Sequence, residues 1–328
     1  MKNLILALAT GYILFVFSER VFWAVWRPED SIMDLAITWL VYSAIAYLFL
    51  MAIRWGGVDG FWPVFLAGSI YGWLVEGALA DTLYGTQPSA PFPVSISITG
   101  LSWHALISVM LGWWTTGRAI AAASAWRLVW VSLAVGVFWG LWAMFPLRET
   151  PPIVASIDGF LVNALWLTLG LIAAWWINIR VRLRAFQPGW LGILVCSAIV
   201  AVFYVQHAMR LGAVPLLLLP ALLGVAAAPL LVHRRRCGAA AWNGWPETCF
   251  PSRLAVLFLT PITATLVYAL AAAMELDRFP IPFIVYAATG LAGFVLLPVA
   301  VGMTLRKSRG AASQSCCSAV ADGGAHVG

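Results

Sequence analysis

A glutamate inside an apolar stretch is the first residue of this sequence that could do chemistry. Glu76 follows two glycines at intervals of four, in the pattern Gly68-x-x-x-Gly72-x-x-x-Glu76. On a helix these residues share one face, and small residues on a face let a second helix approach closely. Because an ionisable group inside a membrane span is costly, we expect Glu76 to face protein and to be functional. The structural alternatives are a carboxylate that reaches the membrane surface and a protonated one bonded between helices.

A histidine follows with a similar pattern. The sequence His104-x-x-x-Ser108-x-x-x-Gly112-x-x-x-Thr116 forms a small or polar stripe at helical spacing. It places His104 on an inward-facing seam, at the depth expected for Glu76. A histidine–carboxylate pair can move protons, orient the imidazole as a general base or bind a metal. The sequence therefore predicts Glu76 and His104 as a catalytic pair, with a backbone-bonded interfacial histidine as the alternative.

Further polar residues are expected at the same end of the protein. Glu19 and Arg20 end the first apolar stretch, and Arg20 could hold an anionic headgroup or phosphate. Asp158 and Asn163 open the sixth stretch, where Gly159-x-x-x-Asn163 repeats the small-plus-polar spacing. These four and Trp103 are our predicted substrate-binding residues. The alternative is that the terminal charges are solvated helix ends and that Glu19 and Arg20 neutralise each other.

The composition says which environment must hold these residues. Of 328 residues, 62% are hydrophobic and 10% are charged, against about 25% charged in a soluble domain. Lipid is therefore the expected solvent. Ten apolar stretches approach the roughly 20 residues that cross a bilayer. They lie at 4–24, 33–53, 60–80, 100–118, 126–146, 156–179, 189–206, 212–232, 253–274 and 281–304.

The basic residues indicate the orientation of these stretches. Lys2, Arg54, Arg118 and the run Arg234–Arg236 lie in alternate connections, as the positive-inside rule requires of ten spans with both termini in the cytoplasm. We expect a multi-pass protein of the cell membrane whose polar site faces outward. Arg234, Arg235 and Arg236 are expected to meet anionic headgroups. The net charge of +6 forms no basic face, so no nucleic-acid partner is predicted.

The predicted fold class is all-α, a polytopic transmembrane helix bundle. Residues 1–307 are expected to form one membrane domain, with a six-helix half at 1–180 that holds the polar site and a four-helix packing half at 189–304. Residues 308–328, rich in Ser, Ala and Gly, are expected to be a disordered cytoplasmic tail. The connection at 81–99 is either a surface loop with a strand-like stretch at 94–98 or a lid over the site.

Three functional hypotheses remain open at this point. The first is an enzyme that acts on a lipid or isoprenoid substrate by acid/base or metal chemistry at Glu76 and His104. The second is a proton- or cation-coupled transporter of a small solute. The third is a non-catalytic membrane subunit. The sequence contains no nucleophile elbow, Walker loop or zinc-protease motif, so it identifies neither a metal site nor a cofactor.

Overall fold

The computed structural model describes residues 1–58, 60–181, 186–237 and 251–323, and within these ranges all regular structure is helical. Ten long helices follow one another: α1 (Lys2–Trp23), α2 (Ile32–Trp55), α3 (Phe61–Leu74, continued at Val75–Leu79), α4 (Ser95–Ala121), α5 (Trp126–Arg148), α6 (Ile157–Val181), α7 (Trp190–Leu211), α8 (Ala213–Arg236), α9 (Ser252–Ala273) and α10 (Ile281–Arg306). Nine of these ten, all but α3, are long and apolar enough to cross a membrane. The prediction of an all-α, multi-pass bundle is confirmed.

The exception, α3, lies in the middle of the bundle. It packs against α2, α4, α7, α8 and α10, and most of its side chains are buried. A helix enclosed by protein does not need an apolar surface all round, because little of it would meet lipid. This position allows α3 to carry Ser69, Tyr71 and Glu76.

Three helices contain a π-helical segment. Val16–Arg20 in α1, Val75–Leu79 in α3 and Gly100–Thr115 in α4 are π-helical. Their backbone bonds span five residues; the His104 amide, for example, donates to the Thr99 carbonyl at 2.9 Å. π-Helical turns are rare and are frequently found at functional sites. Each of these three segments carries a predicted site residue, namely Glu19, Glu76 or His104.

The connection between α3 and α4 is folded onto the bundle. It holds a 3₁₀ turn at Thr82–Tyr84 and enters α4 through a helical turn at Ser95–Ile98, so the predicted strand-like stretch at 94–98 is wrong. Its alternating serines are buried and bonded inward, Ser95 to the Leu83 carbonyl at 2.8 Å and Ser97 to the Gly290 carbonyl at 2.5 Å. The alternation therefore reflects two partners rather than the two faces of a strand.

Tyr84 fastens this connection to the end of α3. Its hydroxyl donates to the Gly77 carbonyl at 2.5 Å. Burial, with a smaller contribution from Tyr204, raises the pKa of Tyr84, so the phenol keeps the proton that it donates.

The later helices are more peripheral. In the apolar 18-residue stretch of α7, only 6% of the stretch is buried within the protein, and in that of α10 the share is 17%. Much of the surface of these two helices is therefore available to lipid. The helix that contains α10 begins at Ile281 and ends at Gly323. Side chains from 307 onward and residues 324–328 lie outside the described part of the chain. The disordered tail at 308–328 and the division into two halves therefore stay predictions.

Candidate active site

A cavity of about 900 Å³ opens at the end of the bundle where Glu19, Glu76 and His104 lie. One wall is polar and carries Ser18, Glu19, Glu76 and His104 from α1, α3 and α4. The facing walls are largely aromatic and aliphatic. They come from α1, α4, α5, α10 and the 81–99 connection, and include Phe22, Trp103, Trp142, Phe145, Phe283, Tyr286, Leu291 and Phe294. This combination of a polar wall and apolar surroundings is typical of a small-molecule site.

Glu76 and His104 form a direct pair on the polar wall. The Oε1 atom of Glu76 lies 2.5 Å from Nε2 of His104, and the residues are 7% and 3% exposed. The pair depends on a close approach of α3 and α4, since a Cβ atom on Gly72 would overlap the Gly100 carbonyl. The expectation that this glycine lets a second helix approach is confirmed.

The other ring nitrogen of His104 is bonded as well. Its Nδ1 atom lies 3.0 Å from the hydroxyl of Ser18. That hydroxyl also lies 3.0 Å from the Tyr71 hydroxyl and 2.9 Å from the Ser108 hydroxyl. The second carboxylate oxygen of Glu76 accepts a bond from Thr82. Since both nitrogens of His104 are occupied by protein, Glu76 is the member of the pair with lone pairs left for a bound molecule.

The network can hold its protons in more than one way. Ser18 has one hydroxyl proton, which it can donate to His104 or to Ser108. In the first case His104 is a neutral imidazole that donates from Nε2 to the Glu76 carboxylate. In the second, Nδ1 carries a proton and donates to Ser18. The orientation of the Ser18 hydroxyl therefore depends on whether Nδ1 of His104 carries a proton.

Glu19 brings a second carboxylate to the same wall. One of its oxygens accepts a bond from the Tyr42 hydroxyl and the other accepts from the Trp23 indole at 2.8 Å. Two bonded partners fix this side chain in a single orientation. Within the described ranges, no three His, Cys, Asp or Glu side chains are arranged to hold a metal ion.

Indole N–H groups hold the end of α1 in place. Those of Trp103, Trp142 and Trp139 donate to the carbonyls of Phe17, Phe22 and Ala24, at 3.0, 2.6 and 3.3 Å. The last carbonyls of a helix have no partner within it, and α1 ends where Ala24 turns to a φ of 64°. These tryptophans therefore replace missing backbone donors and position Ser18 and Glu19.

Arg20 belongs to a neighbouring cluster and does not line the cavity. Its guanidinium is 2.9 Å from Asp30 and 3.3 Å from the Val25 carbonyl. Beside it, Arg27 binds Glu149 at 3.1 Å through one nitrogen and more closely through the other. The charges of this cluster are matched within it, which fits a structural role.

The predicted site residues thus divide into two groups. The structure brings Glu19, Glu76, Trp103 and His104 together at one cavity. The other three lie elsewhere: Arg20 in its ion pair, and Asp158 and Asn163 on α6, where Asp158 is exposed and Asn163 is half-buried.

Sequence reasoning missed Ser18, Arg148 and the wall formed by α10, all of which line the cavity. Ser18 left a signal, because it is a hydroxyl immediately before Glu19 inside an apolar stretch. The residues of α10 left none that separates them from lipid-facing ones.

Comparisons with protein-family models, with curated proteins and with solved structures found no match for this chain.

Proposed function

We propose that this chain is a membrane-embedded enzyme that acts on a lipid-like or isoprenoid substrate by acid/base chemistry at Glu76 and His104. One observation carries the proposal: the Glu76–His104 pair, joined at 2.5 Å, lies on the wall of a cavity of about 900 Å³ whose other walls are mainly apolar. A buried acid/base pair beside an apolar cleft suits proton transfer to or from an amphiphile.

In this proposal Glu76 and His104 have different roles. Glu76 would exchange a proton with the substrate, because it keeps free lone pairs. His104 would exchange that proton with Glu76 and is oriented for this by Ser18. Ser18 itself is a poor nucleophile candidate, since three partners already surround its hydroxyl oxygen.

The apolar walls would hold the hydrophobic part of the substrate. Phe283 and Leu291 line the cavity and are also 70% and 67% exposed at the surface of α10. In addition, α10 packs mainly against α3, α4 and α8 and makes little contact with α5. We propose that the hydrophobic chain of the substrate enters the cavity from the bilayer, between α5 and α10.

The membrane orientation belongs to the same proposal. With α3 counted as a span, ten crossings leave both termini on the same side, and the positive-inside pattern makes this side the cytoplasm. The cavity would then open to the outer leaflet of the cell membrane. Arg234, Arg235 and Arg236, which are exposed at the end of α8, would meet anionic headgroups of the inner leaflet. Labelling of single cysteines at the loops in intact cells tests this topology.

Proton- or cation-coupled transport is the second candidate, and one feature favours it. The bonds from His104 continue through Ser18 to Tyr71 and Ser108, which are buried in the bundle. Such a chain could carry a proton away from the cavity.

Lipid analysis of cells tests the enzymatic proposal. Membranes with the wild-type protein would be compared with those carrying Glu76→Gln, His104→Ala or Glu275→Gln. The last variant is the matched control, since Glu275 is exposed at the same end and lies outside the cavity. We expect one lipid class to be depleted, and its product to appear, with the wild type and Glu275→Gln only. Purified protein should convert the same class in micelles.

Two other outcomes would each reject the enzyme. Proton uptake into proteoliposomes that requires Glu76, without any altered lipid, would establish transport. The absence of both activities from folded wild-type protein would favour the role of a non-catalytic subunit.

A further inference from the structure

Arg148 places a positive charge at the mouth of the cavity, and its neighbour in the sequence, Glu149, already has a partner. Arg148 follows α5's last cavity aromatics, Trp142 and Phe145, and its side chain is exposed while lining the cavity. Among the described residues, no hydrogen bond or ion pair joins its guanidinium to another group. The adjacent carboxylate, Glu149, is bound by Arg27 instead.

Three acid–arginine pairs lie near this end of the bundle. Asp30 binds Arg20, Asp81 binds Arg210, and Glu275 binds Arg278. These pairs leave Arg148 as a cation beside an apolar cavity without a neighbouring carboxylate as its partner. An anion held between this guanidinium and the apolar cavity wall would be less hydrated than at an open surface, and would therefore be attracted more strongly.

Two further polar side chains line the mouth. Gln87 and Ser89 of the 81–99 connection are exposed and also line the cavity. Among the described residues, neither side chain has a hydrogen-bond partner. A guanidinium, an amide and a hydroxyl together offer several donors, which is the set that an oxyanion requires.

We propose that Arg148, with Gln87 and Ser89, binds the anionic headgroup of an amphiphile, such as a phosphate, whose chain occupies the apolar cavity. This inference rests on the proposed function and names its substrate class. The headgroup would lie at the mouth, where the exposed side chains of Arg148, Gln87 and Ser89 line the cavity.

Binding of defined lipids to the purified protein tests the inference without requiring turnover. In a non-ionic detergent, native mass spectrometry would measure the binding of phosphatidic acid and of phosphatidylcholine with the same acyl chains. Inorganic phosphate, added as a competitor, separates recognition of a lipid headgroup from binding of the free anion. The variants are Arg148→Gln and the matched control Arg278→Gln, which changes an exposed arginine outside the cavity.

We expect the wild type and Arg278→Gln to prefer phosphatidic acid, and Arg148→Gln to bind it about 10- to 100-fold more weakly, as expected for the loss of charge-assisted bonds. Equal binding of both lipids by the wild type, or unchanged binding by Arg148→Gln, would overturn the inference. If inorganic phosphate binds with the same affinity as the lipid, the acyl chain contributes nothing to binding, and its proposed place in the cavity is overturned.

A further variant separates this inference from the catalytic proposal. Glu76→Gln should retain the preference for phosphatidic acid even though turnover is lost. If Glu76 proves dispensable for turnover while Arg148 still governs lipid binding, the catalytic proposal fails and the headgroup site stands.

Discussion

Two clusters of charged residues adjoin each other at the end of α1, and they differ in what remains for a ligand. In the first, Arg20 and Arg27 are matched by Asp30 and Glu149, and the guanidinium of Arg20 is closed off from the cavity. In the second, Glu76 and His104 also bond each other, but the pair faces a cavity. Both clusters are buried and paired, so access to the cavity is the feature that separates them. The different roles that we propose for the two clusters rest on this difference.

Exchange of Glu76 for glutamine should produce the largest difference between the two clusters. The amide keeps the shape and much of the hydrogen bonding to His104 but does not act as an acid or base. Turnover of the lipid substrate should fall about 100- to 10,000-fold. The free energy of unfolding in detergent should change by less than about 1 kcal/mol. Lost activity that is matched by lost folding would place Glu76 with the structural charges.

The opposite result is expected for Arg20→Met. Removal of one partner of a buried ion pair leaves the other uncompensated, which costs about 3–5 kcal/mol. Thermal unfolding measures this loss. The double variant Arg20→Met/Asp30→Asn should recover part of the stability, since it removes the stranded charge and keeps an acceptor for the Arg27 amide. Normal stability of Arg20→Met would mean that the pair is not structural.

A smaller effect is expected where the Glu76–His104 pair depends on a close backbone contact. Gly72→Ala places a methyl group against the Gly100 carbonyl, and such overpacking costs about 1–3 kcal/mol. It should also reduce activity, because α3 and α4 must separate. The matched control is Gly224→Ala in α8, where an added Cβ meets nothing within 4 Å. Equal behaviour of the two variants in unfolding and turnover would show that the close approach is not required.

The smallest effect should come from Trp103→Phe, which keeps one aromatic ring and removes the indole N–H together with part of the buried ring. The Phe17 carbonyl loses its indole partner. An unsatisfied buried acceptor costs about 1–3 kcal/mol, and we expect a cost of about 1 kcal/mol because backbone N–H groups of the π-helical turn lie close to this carbonyl. Trp166→Phe, on a side chain that is 70% exposed, is the control and should be neutral. Unfolding of both variants in the same detergent decides whether the indole bond matters.

The sequence predicts the helices well because each one combines an apolar run with charged ends, and both signals are local. It also predicts that Glu76 and His104 carry the site, since glycine spacing and the cost of a buried charge both bear on them. The π-helical winding is beyond this reasoning. A stripe at intervals of four lies on nearly one face in either winding, so the pattern of α4 cannot separate them.

The remaining site residues depend on contacts that no local pattern contains. The cavity side and the lipid side of α10 are equally apolar, so periodicity does not separate Phe283 or Leu291 from its lipid-facing residues. The pairing of Arg20 depends on the turn at Ala24, which brings Asp30 back to α1. The spacing of Gly159 and Asn163 is a packing signal, and it does not bring α6 to the cavity.

The indole bonds to α1 also bear on the order in which the protein is assembled. α1 is synthesised first, yet the carbonyls of Phe17, Phe22 and Ala24 receive their donors from α4 and α5. Within the hydrocarbon region of a bilayer, an unpaired carbonyl cannot form a hydrogen bond with water. We therefore expect the end of α1 to reach its final geometry only after α4 and α5 have been inserted, because these helices supply its indole donors.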